Sequence, residues 1–231
     1  MMICLTFDTD WMTPHEMQEF LERYPDLPRS TFFIHEASAD WRPTGHEWGP
    51  HPTSPADDGC LDISNIRSPD AVGIRSHSCA GSHLISLEWA RQGYLYQSNE
   101  TRLYACEPAP IRTAWGIWEL PIYYMDNMDF WFARNWPEVD HTPFSLEVLK
   151  KAIQGTGTYV FDFHPLHIAL NSTSPESYAA KRAARGPGRS AWNLAPQGPG
   201  VREYFETLLQ MIRDSDVPIC TGEDAVRRYL I

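Results

Sequence analysis

The chain begins with an apolar run, Cys4-Leu5-Thr6-Phe7, that ends in two carboxylates one residue apart, Asp8 and Asp10. Side chains alternate faces along a strand, so both carboxylates are expected to point the same way from its end. Two anions at the end of a buried strand are costly, and a cation shared between them and nearby histidines offsets that cost better than water does. Polar groups recur at three further predicted strand ends: His51 beyond the turn at Gly49, Arg75 and His77 after Ile74, and His164 after Phe163. A carboxylate can take a proton from a metal-bound water whose pKa has dropped to about 7, and an imidazole can return one near neutral pH. Each residue alone has a plainer reading: Asp8 and Asp10 as a solvated turn or helix cap, His51 as a surface histidine, His77 as a histidine bonded to backbone, Arg75 as a surface ion pair.

Only a parallel arrangement brings such strand ends to one face, and the pattern along the chain fits it. An amphipathic helix opens at Thr13-Pro14-His15-Glu16 and ends before Pro25, and Thr31-Phe32-Phe33-Ile34 follows as a second buried strand. This is a strand-helix-strand unit. Further strands are predicted around 46–49, 71–75, 93–96, 117–124, 157–163 and 217–220, with helices over 84–91, 144–153 and 201–213, and a capping box from Thr221 to Asp224 opens a last helix. Residues 172–200, rich in Ser, Ala, Gly, Pro and Arg, are expected to form a long mobile loop carrying a short helix around 176–185. With no internal repeat or convincing boundary, residues 1–231 are read as a single α/β domain.

Composition narrows the function. A formal charge of −11 argues against a nucleic-acid partner, and a small-molecule or carbohydrate substrate fits better. The five cysteines, Cys4, Cys60, Cys79, Cys106 and Cys220, are scattered without a C-x-x-C pair and are read as mostly reduced. No transmembrane run or cleavable leader is apparent, so a soluble cytoplasmic protein is expected. No P-loop, G-x-S-x-G or G-x-G-x-x-G occurs, which leaves nucleotide-phosphate, serine-hydrolase and dinucleotide readings unsupported.

The ordered set of strand ends resembles the NodB-like polysaccharide deacetylases, carbohydrate esterase family 4. Thr6-Phe7-Asp8-Thr9-Asp10 is similar to that family's first aspartate motif, Ser30-Thr31-Phe32-Phe33 to its A-T-F-F strand, and His46-Glu47-Trp48-Gly49-Pro50-His51 to its H-E-I-G-x-H segment. Ile74-Arg75-Ser76-His77 resembles its R-x-P motif and Phe163-His164-Pro165 its closing histidine motif. The resemblance implies a distorted (β/α) barrel holding a divalent metal, zinc by ligand type, that hydrolyses an N-acetyl group on a sugar. It implies Asp8 as general base, Asp10 and His51 as metal ligands, Arg75 as the clamp on the base and His164 as general acid.

One position departs from the family. Its H-x-x-x-H would place a ligand at residue 55, which is Pro55, so His77 is taken as the third ligand because it shares a strand-end face with Arg75, and His83 is the alternative. His167 either orients its loop or touches substrate, and Trp11, with Trp48, Trp115, Trp118 and Trp131, either stacks on a sugar ring or belongs to the core. His35, His46, Asp126 and Asp129 are candidate pocket residues with no assigned role. A cytoplasmic enzyme of this kind would act on a soluble precursor of surface polysaccharide; a small non-sugar amide is the alternative substrate, and a carbohydrate-binding protein that has lost its metal the alternative class.

Overall fold

A computed structural model describes residues 1–53, 68–135, 141–186, 190–195 and 198–230, apart from the side chains of 132–134. The first half contains β1 (Met2–Asp8), α1 (Pro14–Arg23), β2 (Thr31–Ile34), β3 (Glu47–Pro50), β4 (Gly73–Ile74), α2 (His83–Gln92) and β5 (Tyr96–Gln97). Next come β6 (Ile111–Arg112), β7 (Trp118–Glu119), β8 (Ile122–Met125), α3 (Asp126–Asn135), α4 (Leu146–Gln154) and β9 (Thr158–Phe163). The chain closes with α5 (Pro165–Leu170), α6 (Pro175–Ala184), α7 (Val201–Arg213), β10 (Ile219–Cys220) and α8 (Gly222–Arg227).

β1 lies at the centre of an all-parallel sheet in the order β3-β2-β1-β9-β8, with β10 also pairing to β1 at Ile3 and Cys4. A second sheet runs β4-β5-β7-β6, antiparallel only at its last pair. The two are stitched at both seams. At one, the Arg75 N–H donates to the Pro50 carbonyl at 3.2 Å; at the other, Thr101 forms an isolated bridge with Ile122. The result is an interrupted, distorted β/α barrel whose parallel strand ends all open on one face. Gly49 makes the first seam possible, since a Cβ there would stand 2.3 Å from the Gly73 carbonyl oxygen.

Strand alternation sorts the core into two. Ile3, Leu5 and Phe7 of β1, Phe32 and Ile34 of β2, and Tyr159, Phe161 and Phe163 of β9 pack outward with α1, α4, α5 and α7. Met2 and Cys4, with Phe33, Tyr96, Val160 and Cys220, fill the barrel interior. The inner faces of β1 and β9 then continue upward as Thr6 and Asp8 beside Asp162, with Thr6 and Asp162 in register. Asp8, Asp162 and Arg75 thus meet at the end of the interior where the parallel strands finish.

Local signals explain most helix boundaries. Thr13 and Glu16 form a reciprocal capping box with Pro14 at the first turn of α1, and Thr221 and Asp224 do the same for α8. Gly93, expected to begin a strand, instead ends α2 at φ +91°, so β5 starts only at Tyr96. The strand expected over 117–124 is two strands in different sheets. Leu120 donates to Gln97 and Ile122 to Glu100, and Pro121 between them has no N–H to carry one ladder through. Within 172–200 the expected short helix is α6, and the Arg185 guanidinium that follows it pairs with Glu16 of α1.

Candidate active site

Every chemistry-bearing residue singled out at a strand end reaches this one face. Asp8 is the last residue of β1, but Asp10 lies beyond the strand, in a turn where Trp11 adopts φ +60°. Thr9 fixes that turn: its N–H donates to the Phe33 carbonyl at 3.0 Å, and its hydroxyl accepts from the His35 N–H at 2.8 Å and pairs with Ser38 at 2.7 Å. The two carboxylates converge through turn geometry rather than through strand alternation alone. Asp10 is the hub, with His51 Nε2 at 3.2 Å, His77 Nδ1 at 3.2 Å and His164 Nε2 at 3.4 Å from its oxygens. Burial alone would raise the Asp10 pKa, yet His51, His164 and His77 together hold it far below the ordinary carboxylate range.

His51 shows what this hub lacks. Its Nδ1 lies 2.9 Å from the Arg75 carbonyl oxygen, a contact that requires an N–H on Nδ1. In the neutral ring Nε2 then presents a lone pair, and it is buried without a hydrogen-bond partner, facing Asp10 at 3.2 Å and Asp8 at 3.7 Å. A lone pair facing two carboxylates is repulsive unless a proton or a cation lies between them. Burial opposes charging of His51, but Asp8 and Asp10 prevail and raise its pKa. The ligand atoms of Asp10, His51 and His77 all lie within 4.8 Å of one another, so these residues fit a cation. His83 is elsewhere, at the start of α2, with its Nδ1 3.4 Å from the Trp115 indole nitrogen.

Arg75 is completely buried and lies below Asp8. One guanidinium nitrogen donates to Asp8 at 2.9 Å and also to Asp162, while Nε donates to the Ser98 carbonyl and the other nitrogen to the Ser98 hydroxyl, each at 2.8 Å. Asp162 was not singled out in the sequence, although strand alternation offered a signal: it stands two residues before His164, on the same face of β9. Burial raises the Asp162 pKa, Arg75 opposes that rise and Asp8 reinforces it. Asp8, Asp10, Asp126 and Asp162 are all buried here, and among the described residues Arg75 is the one buried guanidinium.

Asp126 holds His164. Its Oδ1 lies 2.7 Å from His164 Nδ1, and its Oδ2 accepts the His164 backbone N–H at 2.8 Å. His164 Nδ1 therefore carries the proton and Nε2 turns toward Asp10. Burial works against a charged imidazole, but Asp126 and Asp10 push the His164 pKa well above its ordinary value. The sequence placed Asp126 near the pocket without a role, since nothing local links it to a histidine 38 residues away.

Two residues considered for substrate contact have different surroundings. Trp11 is 40% exposed beside His77, with the Arg182 guanidinium 4.3 Å from its ring centroid. His167 is only 4% exposed and lies under α6, its ring stacked on Tyr178 at 4.0 Å between centroids. A cavity of about 40 Å3 lies among Asp8, Asp10, His77, Met125, Asn127 and His164. That is space for about one ion or water, so a sugar ring would have to lie over its mouth. Pro55 and Cys60 fall outside the described residues, whereas Cys4, Cys79, Cys106 and Cys220 are all thiols. Among the described residues no helix is long and apolar enough to cross a membrane.

Comparison with known proteins gives concordant results. A family profile described as WbmS-like polysaccharide deacetylase matches residues 5–182. A solved structure from Bordetella bronchiseptica, described as a polysaccharide deacetylase involved in O-antigen biosynthesis, superposes with a TM-score of 0.71 at 21% identity over 90% of each chain. A polysaccharide deacetylase structure from Mycobacterium smegmatis superposes with a TM-score of 0.53 at 15% identity, covering 98% of this chain and 88% of the other. No curated protein matches the chain in sequence.

Proposed function

The chain belongs to the WbmS-like polysaccharide deacetylase family, hydrolases of sugar acetyl groups, and from that premise we propose that it is a metal-dependent enzyme that removes an N-acetyl group from a sugar. Asp10, His51 and His77 would hold the ion, with zinc suited to one carboxylate and two imidazoles. A bound divalent ion supplies Lewis-acid polarisation of the acyl carbonyl and a lowered pKa for water. The buried, unpartnered Nε2 of His51, aimed at two carboxylates, is the observation that carries this reading.

The chain's own residues divide the proton work. Asp8, held by Arg75 at 2.9 Å, takes the proton of the attacking water. Arg75, itself fully buried, keeps that carboxylate oriented for the attacking water. His164, charged through Asp126, gives its Nε2 proton to the departing sugar nitrogen, which leaves as an amine rather than as a far more basic amide anion. Trp11 contributes an exposed ring at the mouth for the sugar to lie against, while His167 supports Tyr178 of α6 from below. A soluble precursor of surface polysaccharide is the substrate we infer, and four unpaired thiols support a reducing, cytoplasmic setting.

The test is metal content and acetate release on the same preparations. Protein stripped of metal and reloaded with zinc should bind one equivalent and release acetate from an N-acetyl sugar, with chelation abolishing release. Asp8→Asn should keep the metal and lose turnover, and His77→Ala should lose the metal. Failure to bind any divalent ion near one equivalent, or release of acetate that chelation does not affect, refutes the proposal.

A further inference from the structure

The third proposed ligand, His77, is carried by an unusual turn. Ser78 and Cys79, directly after it, both lie in the left-handed region, at φ +56° and +52°. That conformation is unfavourable for residues with a Cβ and persists only where the surroundings enforce it. Here they do. The His77 N–H donates to the Pro52 carbonyl at 3.0 Å, the Cys79 N–H to Ser76 at 3.0 Å and the Ala80 N–H to His77 at 3.2 Å, while the Ser76 hydroxyl donates to the Ala80 carbonyl.

Ser76 is the fixed point of this turn, and it is completely buried. β4 pairs with β5 through Ile74 and Gln97, and the Ser98 N–H donates to the Ile74 carbonyl at 3.0 Å. Continuing that parallel ladder would send the Ser76 N–H to the Ser98 carbonyl. Arg75 Nε occupies that carbonyl instead, at 2.8 Å. Asn99 Oδ1 supplies the missing rung, accepting the Ser76 N–H at 2.9 Å and standing 3.2 Å from its hydroxyl. The Asn99 N–H is anchored on Glu119 at 2.8 Å, and its Nδ2 has no hydrogen-bond partner among the described residues.

Both imidazoles of the proposed metal site depend on where Ser76 lies. On its N-terminal side, the Arg75 carbonyl stands 2.9 Å from His51 Nδ1 and sets the tautomer that leaves Nε2 facing Asp10. On its C-terminal side, His77 meets Asp10 through Nδ1 at 3.2 Å. Nδ1 is the ring nitrogen nearer the backbone, so a shift of the turn is carried almost directly to that atom.

Resting on the metal-dependent deacetylase reading, we propose that Asn99 is a positioning residue that presets His51 and His77 for the ion by standing in for the ladder bond that Arg75 takes. The test measures zinc and cobalt(II) affinity, with urea unfolding of the metal-free proteins alongside. Asn99→Ala should weaken zinc binding about 10–100-fold, the usual cost of losing a group that orients metal-bound histidines. It should also weaken the visible absorption of bound cobalt, as water replaces an imidazole. Asn99→Asp keeps the oxygen facing Ser76 and changes only the nitrogen without a partner, so it should restore wild-type affinity. Val148→Ala, in the core on α4, should unfold more easily and bind zinc unchanged. Ser78 is exposed, and Ser78→Val, which a left-handed turn disfavours, should weaken zinc binding even if Asn99→Ala does not fold. Equal zinc affinity in wild type and Asn99→Ala, an equal loss in Asn99→Asp or Val148→Ala, or unchanged affinity in Ser78→Val overturns the proposal and leaves the metal reading intact. A wild-type protein that binds neither ion overturns the metal reading and the proposal with it.

Discussion

Replacing Arg75 by methionine should cost about 3–5 kcal/mol of folding stability, the usual consequence of removing one partner from a buried ionic cluster. The guanidinium is fully buried, stands between Asp8 and Asp162, and has its centre 4.3 Å from the centroid of the Phe33 ring. Methionine would preserve much of the packing but leave two buried carboxylates facing each other without a cation. The loss is a large fraction of the roughly 5–15 kcal/mol that holds a domain together. Removing one of those charges should restore part of it, so Arg75→Met/Asp162→Asn should be about 1–3 kcal/mol more stable than the sum of the single changes allows. Urea unfolding followed by tryptophan fluorescence, with chelator present throughout, gives the four free energies of the cycle. Additive single changes, or a loss below about 1 kcal/mol for Arg75→Met, would refute the shared-cation account of this cluster.

Asp126→Asn should lower kcat by about 10²–10⁴-fold, since it weakens the charge that keeps His164 protonated; zinc stoichiometry should stay unchanged, and a variant with normal kcat would remove Asp126 from the mechanism. His167 gives a stability prediction with a definite sign. Burial lowers its pKa to about 4, so as pH falls below the ordinary 6.5 the unfolded chain takes up a proton that the folded chain does not. This group alone should therefore remove about 2 kcal/mol of stability between about pH 7 and pH 5, at ~1.4 kcal/mol per pH unit. Urea midpoints at the two pH values should converge in His167→Gln, and an equal acid loss in both proteins would contradict the assignment.

Much of the site was legible because its residues sit where a local pattern ends. Asp8, His51, Arg75 and His164 each follow a short apolar or β-branched run, and parallel strands carry all such ends to one face whatever the details of packing. Asp162 is legible by alternation from His164, although its partner Arg75 lies 87 residues away. The sequence by itself determined the alternating strand-helix order, the capped helices and the types of group at the strand ends, all consequences of periodicity and short-range hydrogen bonding. Only the tertiary structure decided the partners. It joined Arg75 to Asp162 across 87 residues and His164 to Asp126 across 38, and turned His77 rather than His83 toward Asp10. It also divided 117–124 between two sheets at Pro121. Those outcomes depend on which distant chains close the barrel and share its buried charge, a balance of burial and pairing that no stretch of neighbouring residues contains.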